Sequence, residues 1–135
     1  MNRYFDIALN LASDRFSGER DKVIADALTR NVNYFNIVCS SLNELDFVKD
    51  LNDRYGQNSC FTLGVHPHNA NELNGNTLKS LKDYIKIHQP SAVGETGLDF
   101  FRNLSSYENQ INAFEQQIII SIENNLPLFL HQREA

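Results

Sequence analysis

The chain alternates between short apolar stretches and longer segments in which apolar residues recur every three or four positions. Residues 4–11 (YFDIALNL), 34–39 (YFNIVC), 60–65 (CFTLGV), 92–95 (AVGE) and 126–131 (LPLFLH) are rich in aromatic, branched and leucine side chains, and they predict strands. Between them the period lengthens. Val23, Ile24, Ala27 and Leu28 form one apolar face of a helix, Leu45, Val48 and Leu51 a second, and Leu78, Leu81 and Ile85 a third. Ile111, Phe114, Ile118 and Ile122 mark the buried side of a fourth and longest helix. Ser41 with Glu44 and Ser105 with Glu108 read as capping boxes that open the second and fourth helices. Gly56, Pro90 and the pair Asn124–Asn125 supply stops, and residues 69–76 read as a polar loop. Pro127 lies at the start of the final strand, where its missing N–H is tolerated.

This is a strand–helix unit repeated four times and closed by a fifth strand, so the chain is α/β with a parallel sheet and right-handed crossovers. A doubly wound open sheet and a (β/α)8 barrel both fit the order. The barrel needs about 250 residues, so spacing by itself favours an open five-stranded sheet. At 135 residues the whole chain reads as one domain with a core of its own.

A formal net charge of −5 argues against a broad basic surface coating nucleic acid, although a metal and a few local cations can still grip phosphate. No apolar run is long enough to span a bilayer, and the start lacks the apolar core of a signal peptide. Cys39 and Cys60 lie in strand-like contexts without a CxxC pattern and read as reduced thiols of a cytoplasmic protein.

The chemistry gathers where strands end. Asp6 and Asn10 go with the first strand, His66 and His68 with the third, Glu95 and Asp99 with the fourth, and His131 and Arg133 with the fifth. In α/β folds the carboxyl edge of the sheet is where sites are built. If the fourth and fifth strands are neighbours, Glu95 and His131 lie side by side on that edge. A carboxylate there is costly to bury unless it is paired or binds metal. Carboxylates with imidazoles suit Mg2+, Mn2+ or Zn2+. Each signal has a plainer counterpart: His-x-His as a polar loop edge, Glu95 as a partner for a helix N-terminus, a lone terminal histidine as a surface group. Glu95 with Asp99 would also serve as an acid/base pair of glycosidase type. Recurrence at one end of successive strands favours a site.

Residues 5–11 (FDIALNL), 64–68 (GVHPH), 94–100 (GETGLDF) and 126–133 (LPLFLHQR) resemble, in order and spacing, the strand-end motifs of the TatD-type deoxyribonucleases. The resemblance covers essentially the whole chain. It implies a TIM-like (β/α)8 barrel, of which this chain covers about the first five strands and four helices. It also implies a metal-dependent hydrolase acting on phosphodiester bonds, a DNase or exonuclease working from an end, with DNA, single-stranded or at 3′ ends, as its substrate. Carried over by residue, Glu95 is the metal carboxylate and the catalytic group, and His131 is a metal-binding imidazole. His66 and His68 line the phosphate-binding mouth, Arg133 pairs with a phosphate or holds a ligand, and Asp99, Asp6 and Asn10 support the site. The implied cofactor is a divalent metal, Mg2+ first, with Mn2+ and Zn2+ as alternatives. Asn10 stands where many members have the first histidine of a His-x-His pair, which puts a fully occupied two-metal site in question. The ligands that the family draws from later strands fall beyond His131, so the chain corresponds to the amino-terminal half. Two other readings follow: a catalytically incomplete α/β fragment, and an amidohydrolase-like enzyme with a different substrate. Half a barrel leaves two raw sheet edges, which predicts self-association.

Overall fold

A computed structural model describes residues 2–135. Five parallel strands, β1 (Tyr4–Leu9), β2 (Val32–Ile37), β3 (Ser59–Leu63), β4 (Ala92–Asp99) and β5 (Leu128–Arg133), form one sheet in sequential order. Four helices, α1 (Arg20–Thr29), α2 (Leu45–Tyr55), α3 (Gly75–His88) and α4 (Tyr107–Asn124), connect them. Sequential order decides between the two architectures. A doubly wound sheet reverses direction at a switch point, whereas repeated right-handed crossovers in one direction place every helix on the same side. The sheet is therefore a segment of a barrel wall, and the open sheet that spacing favoured is excluded.

Burial follows position in the wall. The inner three strands supply Phe35, Ile37, Phe61, Leu63 and Val93 to the core, against Val48 and Leu51 of α2, Leu81 and Ile85 of α3 and Ile120 of α4. Fully burying one such side chain is worth about 1.5–3 kcal/mol. The outer strands lack neighbours: on β1 Tyr4, Phe5 and Ile7, and on β5 Leu130, are each more than half exposed.

The predicted faces of α2 and α3 pack as their spacing implies. The face of α4 does not. Gln110, Ala113, Gln117, Ile120 and Ser121 are buried, while Ile122 is 73% exposed and Ile111, Phe114 and Ile118 are half-buried. The reason is polar. Gln117 Oε1 accepts from Val65 N at 2.8 Å and its Nε2 donates to Val65 O at 3.0 Å. Gln110 Oε1 accepts from Asp99 N at 2.9 Å and its Nε2 donates to Asp99 O at 3.1 Å and Ser105 O at 2.9 Å. These amides replace ladder bonds where β3 and β4 run out, and buried backbone groups without partners cost about 1–3 kcal/mol each. That requirement outweighs the apolar stripe.

The capping boxes also shift by one residue. Ser106, not Ser105, caps α4 by accepting from Asn109 N, and Ser105 Oγ donates to His68 O at 2.9 Å. Ser41 makes no side-chain cap, and the Glu44 carboxylate accepts from Ser40 N and Oγ. The polar loop is partly ordered: residues Pro67–Glu72 form a 3-10 turn, and Asn74 with Thr77 makes a capping box for α3.

Candidate metal centre

Asp99, at the end of β4, is the hub of the carboxyl edge. The strand extends past Glu95 because β5 pairs with it as far as Asp99↔Arg133, with an irregularity between Gly94 and Thr96 that leaves Glu95 without a register partner. The close pairing depends on glycine. Gly94 and Gly97 have φ of +151° and +140°, and a Cβ on either would overlap the β5 backbone at Phe129 or His131. The backbone N–H of Glu95 instead bonds Cys39 O, at the end of β2.

Asp99 is fully buried. Its Oδ1 accepts from Arg102 N at 2.9 Å, and its Oδ2 lies 2.6 Å from His68 Nε2 and 3.1 Å from His131 Nε2. Burial pushes its carboxyl up, but bonds from Arg102 N–H and from the two imidazoles overcome this and hold it below the usual carboxylate range. An ionised Asp99 can accept Nε2–H from both rings; in that tautomer each Nδ1 carries a lone pair, which on His131 faces the Glu95 carboxylate and suits an ion held between the two. His131 Nδ1 lies 3.2 Å from Glu95 Oε1.

The GVHPH segment explains His66. Pro67 occupies the first position of the 3-10 turn, where no N–H is needed, and His66 Nδ1 caps that turn by accepting from His68 N at 3.1 Å. Its Nε2 points towards Glu95 Oε1 at 3.8 Å. Burial, followed by the nearby imidazoles of His68 and His131, lowers the His66 pKa to about 3, so it is neutral at physiological pH. The rings of His66 and His68 are 4.2 Å apart by centroid, and those of His66 and His131 4.3 Å.

His66, His68 and His131 each offer a nitrogen within 4.8 Å of the others, and Glu95 is the partly exposed carboxylate beside them. Imidazole nitrogens and a carboxylate are a donor set that fits a divalent ion. Motif order assigned His66 and His68 to the phosphate mouth; the fold also makes them candidate ligands. Asp99 is closed to solvent and bonds two imidazoles.

Asn10 lines a small cavity of about 250 Å3 with Ser40, His66, His68, Asn69 and Glu95. Arg133 is drawn elsewhere: its guanidinium lies over the Phe101 ring at 4.1 Å. Asp6 falls inside β1, not at its end, and accepts from Ala8 N at 3.0 Å, so it takes no part in the cluster's hydrogen bonds. Gln110, Gln117 and Ser105, which hold β3, β4 and the His68 turn in place, escaped the motif reading. Their signal was legible in part, since Gln110 and Gln117 are two helical turns apart, on the face shared by Ala113 and Ile120.

Comparison with known proteins finds relatives of this chain. A "3'-5' ssDNA/RNA exonuclease TatD" of Erwinia tasmaniensis is 40% identical over 131 residues, 97% of this chain and 51% of that protein. The Escherichia coli K12 protein of the same name is 38% identical, over 97% of this chain and 50% of its own length. The crystal structure of a TatD homologue from Escherichia coli K12 superposes with a TM-score of 0.90 at 25% identity, covering 98% of this chain and 51% of that one. The chain thus spans about half the length of the curated relatives it matches. The model of TatD-related DNases matches residues 5–135, and with the parallel wall and its histidine–carboxylate edge this places the chain in the TatD-related DNase family.

Proposed function

We propose that this chain carries the first half of the barrel of a metal-dependent phosphodiesterase that removes nucleotides from an end of single-stranded DNA. The observation that carries the reading is the convergence of Glu95, His131, His66 and His68 around buried Asp99 at the carboxyl edge. A divalent ion held there would supply Lewis-acid chemistry, acidifying water and offsetting charge on the phosphoryl oxygens. Glu95 and His131 would hold it, with His68 offering its Nδ1 lone pair as a further ligand and His66, whose Nδ1 already accepts from His68 N, donating its Nε2–H to a phosphate oxygen. Because His66 is held neutral, its contribution is a hydrogen bond, not a positive charge. Asp99 keeps the His68 and His131 rings oriented, a function whose loss typically weakens metal affinity by about 10–100-fold. Arg102, whose charge acts on His66, would face a phosphate of the bound strand, and Arg133 would have to leave the Phe101 ring to do so. The motif comparison favours Mg2+, while the imidazole count also admits Zn2+ and Mn2+. Two free thiols support a reducing, cytoplasmic setting, and among the described residues no helix is long and apolar enough to cross a membrane.

Exposure of β1 and the half-length match favour a second reading, in which these residues hold ligands but need further barrel strands for turnover. One experiment separates the two: nucleotide release from single-stranded DNA, with Mg2+ or EDTA, by this chain and by a form extended to the relatives' length. Metal-dependent release by both forms shows that the cluster suffices. Release only by the extended form supports the second reading. No release by either overturns the nuclease proposal.

A further inference from the structure

The loop that follows β2 joins two cavities. Ser40 lines the cavity of about 250 Å3 that also holds His66, His68 and Glu95. Glu44 lines a wider cleft of about 520 Å3 between the loops after β1 and β2. Two hydrogen bonds link these residues: Glu44 Oε2 accepts from Ser40 N at 2.9 Å and from Ser40 Oγ at 2.8 Å. An ionised carboxylate has no proton to give, so the hydroxyl donates, and its oxygen keeps lone pairs that can accept. The scheme above uses neither residue.

Attack of water on phosphorus releases a proton, and the cluster offers it no resting place. Asp99 is closed to solvent and already bonds Arg102 N and two imidazoles. His66 Nδ1 is taken by His68 N, and Glu95 and His131 are assigned to the ion. Glu44 is the carboxylate one hydroxyl further out, within the reach that proton transfer requires. It is partly exposed and borders the cleft, where solvent can take a proton onward. The charged groups around it are Asp14 and Arg15 in the cleft lining, the Arg20 guanidinium over Phe47, and Glu72, which accepts from Leu42 N. Two cations offset two acids there.

We propose that Ser40 and Glu44 form the proton exit of the cluster: Ser40 Oγ accepts the proton that the attacking water sheds and passes its own to Glu44 Oε2. The water oxygen bonds phosphorus as the bond to the leaving ester oxygen breaks. That oxygen takes a proton from solvent, and Glu44 returns its proton to solvent in the cleft. The bond from Ser40 N does something separate, holding the loop against Glu44 whether or not the hydroxyl is present. This assignment rests on the nuclease reading and adds its path for the proton.

Ser40→Ala removes the relay and leaves the backbone bond. Glu44→Gln keeps an oxygen that accepts both bonds but takes no proton. Nucleotide release from single-stranded DNA in Mg2+ compares both variants with the parent, in this chain and in the form extended to the relatives' length. In each variant kcat is expected to fall about 100-fold or more, the contribution of a general base, with KM and calorimetric Mn2+ affinity unchanged. Added imidazole, a poor ligand for Mg2+, should restore kcat by taking the proton directly. Amide hydrogen exchange at residue 40 should stay slow in Ser40→Ala. Parent-like kcat in either variant overturns the proton exit. So does a loss that comes with raised KM, weaker Mn2+ binding, faster exchange at residue 40 or no response to imidazole, since each marks a structural role; all of these leave the nuclease reading intact. No release by the parent in either form overturns both.

Discussion

Gln117→Leu should be among the most damaging conservative substitutions in this chain, although nothing in its composition marks the position. The side chain is fully buried and closes two hydrogen bonds on the Val65 backbone, 2.8 Å to N and 3.0 Å to O. Leucine fills nearly the same volume, so the cavity contribution is small and the loss is polar. Two buried backbone groups without partners, at about 1–3 kcal/mol each, amount to about 2–6 kcal/mol. That is a large share of the 5–15 kcal/mol that holds a typical domain together. The control is Ile122→Ala, on the stripe that periodicity selects. With Ile122 73% exposed, the expected change is about 0.5 kcal/mol or less. Urea unfolding followed by circular dichroism measures both. At a slope of about 2 kcal/mol per molar, Gln117→Leu lowers the midpoint by about 1 M or more and Ile122→Ala leaves it nearly unchanged. The reverse ranking would falsify the orientation of α4 and with it the account of how β3 delivers His66.

Other outcomes are checkable in parallel. Glu95→Ala should abolish divalent-metal binding by calorimetry without changing the far-ultraviolet spectrum; unchanged affinity would remove Glu95 from the ligand set. Asp99→Asn keeps the shape but can no longer accept from both imidazoles as an anion, so metal affinity should fall about 10–100-fold, and a parent-like titration refutes its positioning role. Burial raises the Cys39 thiol to about 12, so a maleimide should label Cys60 first and Cys39 only on unfolding. The folded value lies above the unfolded one, so this contribution is intact below the ordinary thiol value of 9.0 and is lost as pH rises towards about 12. Equal labelling rates in the native state contradict that burial. The open edges of β1 and β5, with Phe5, Ile7 and Leu130 exposed, should make these residues associate when produced alone; sedimentation as a monomer with a cooperative melt would disprove it.

The sequence by itself determined a good deal. The strand–helix alternation, the apolar faces of α2 and α3 and the clustering of Glu95, Asp99, His66, His68 and His131 near strand ends all follow from local pattern, because a period of two or of 3.6 is written directly in side-chain order. The strand-end motifs carried the family as well. What tertiary structure decided were relations between distant segments. The sheet is a barrel wall because its strands pair in sequential order, which no window of residues encodes. The rotation of α4 was settled by Val65 and Asp99, more than ten residues away in the chain, whose backbone groups required the amides of Gln117 and Gln110. Asp99 became a buried hub and Arg133 a partner of Phe101 because β4 pairs with β5 as far as its last residue. Local periodicity records which side chains are apolar; only the folded chain determines which buried polar groups would otherwise lack partners, and here those groups set the geometry of the site.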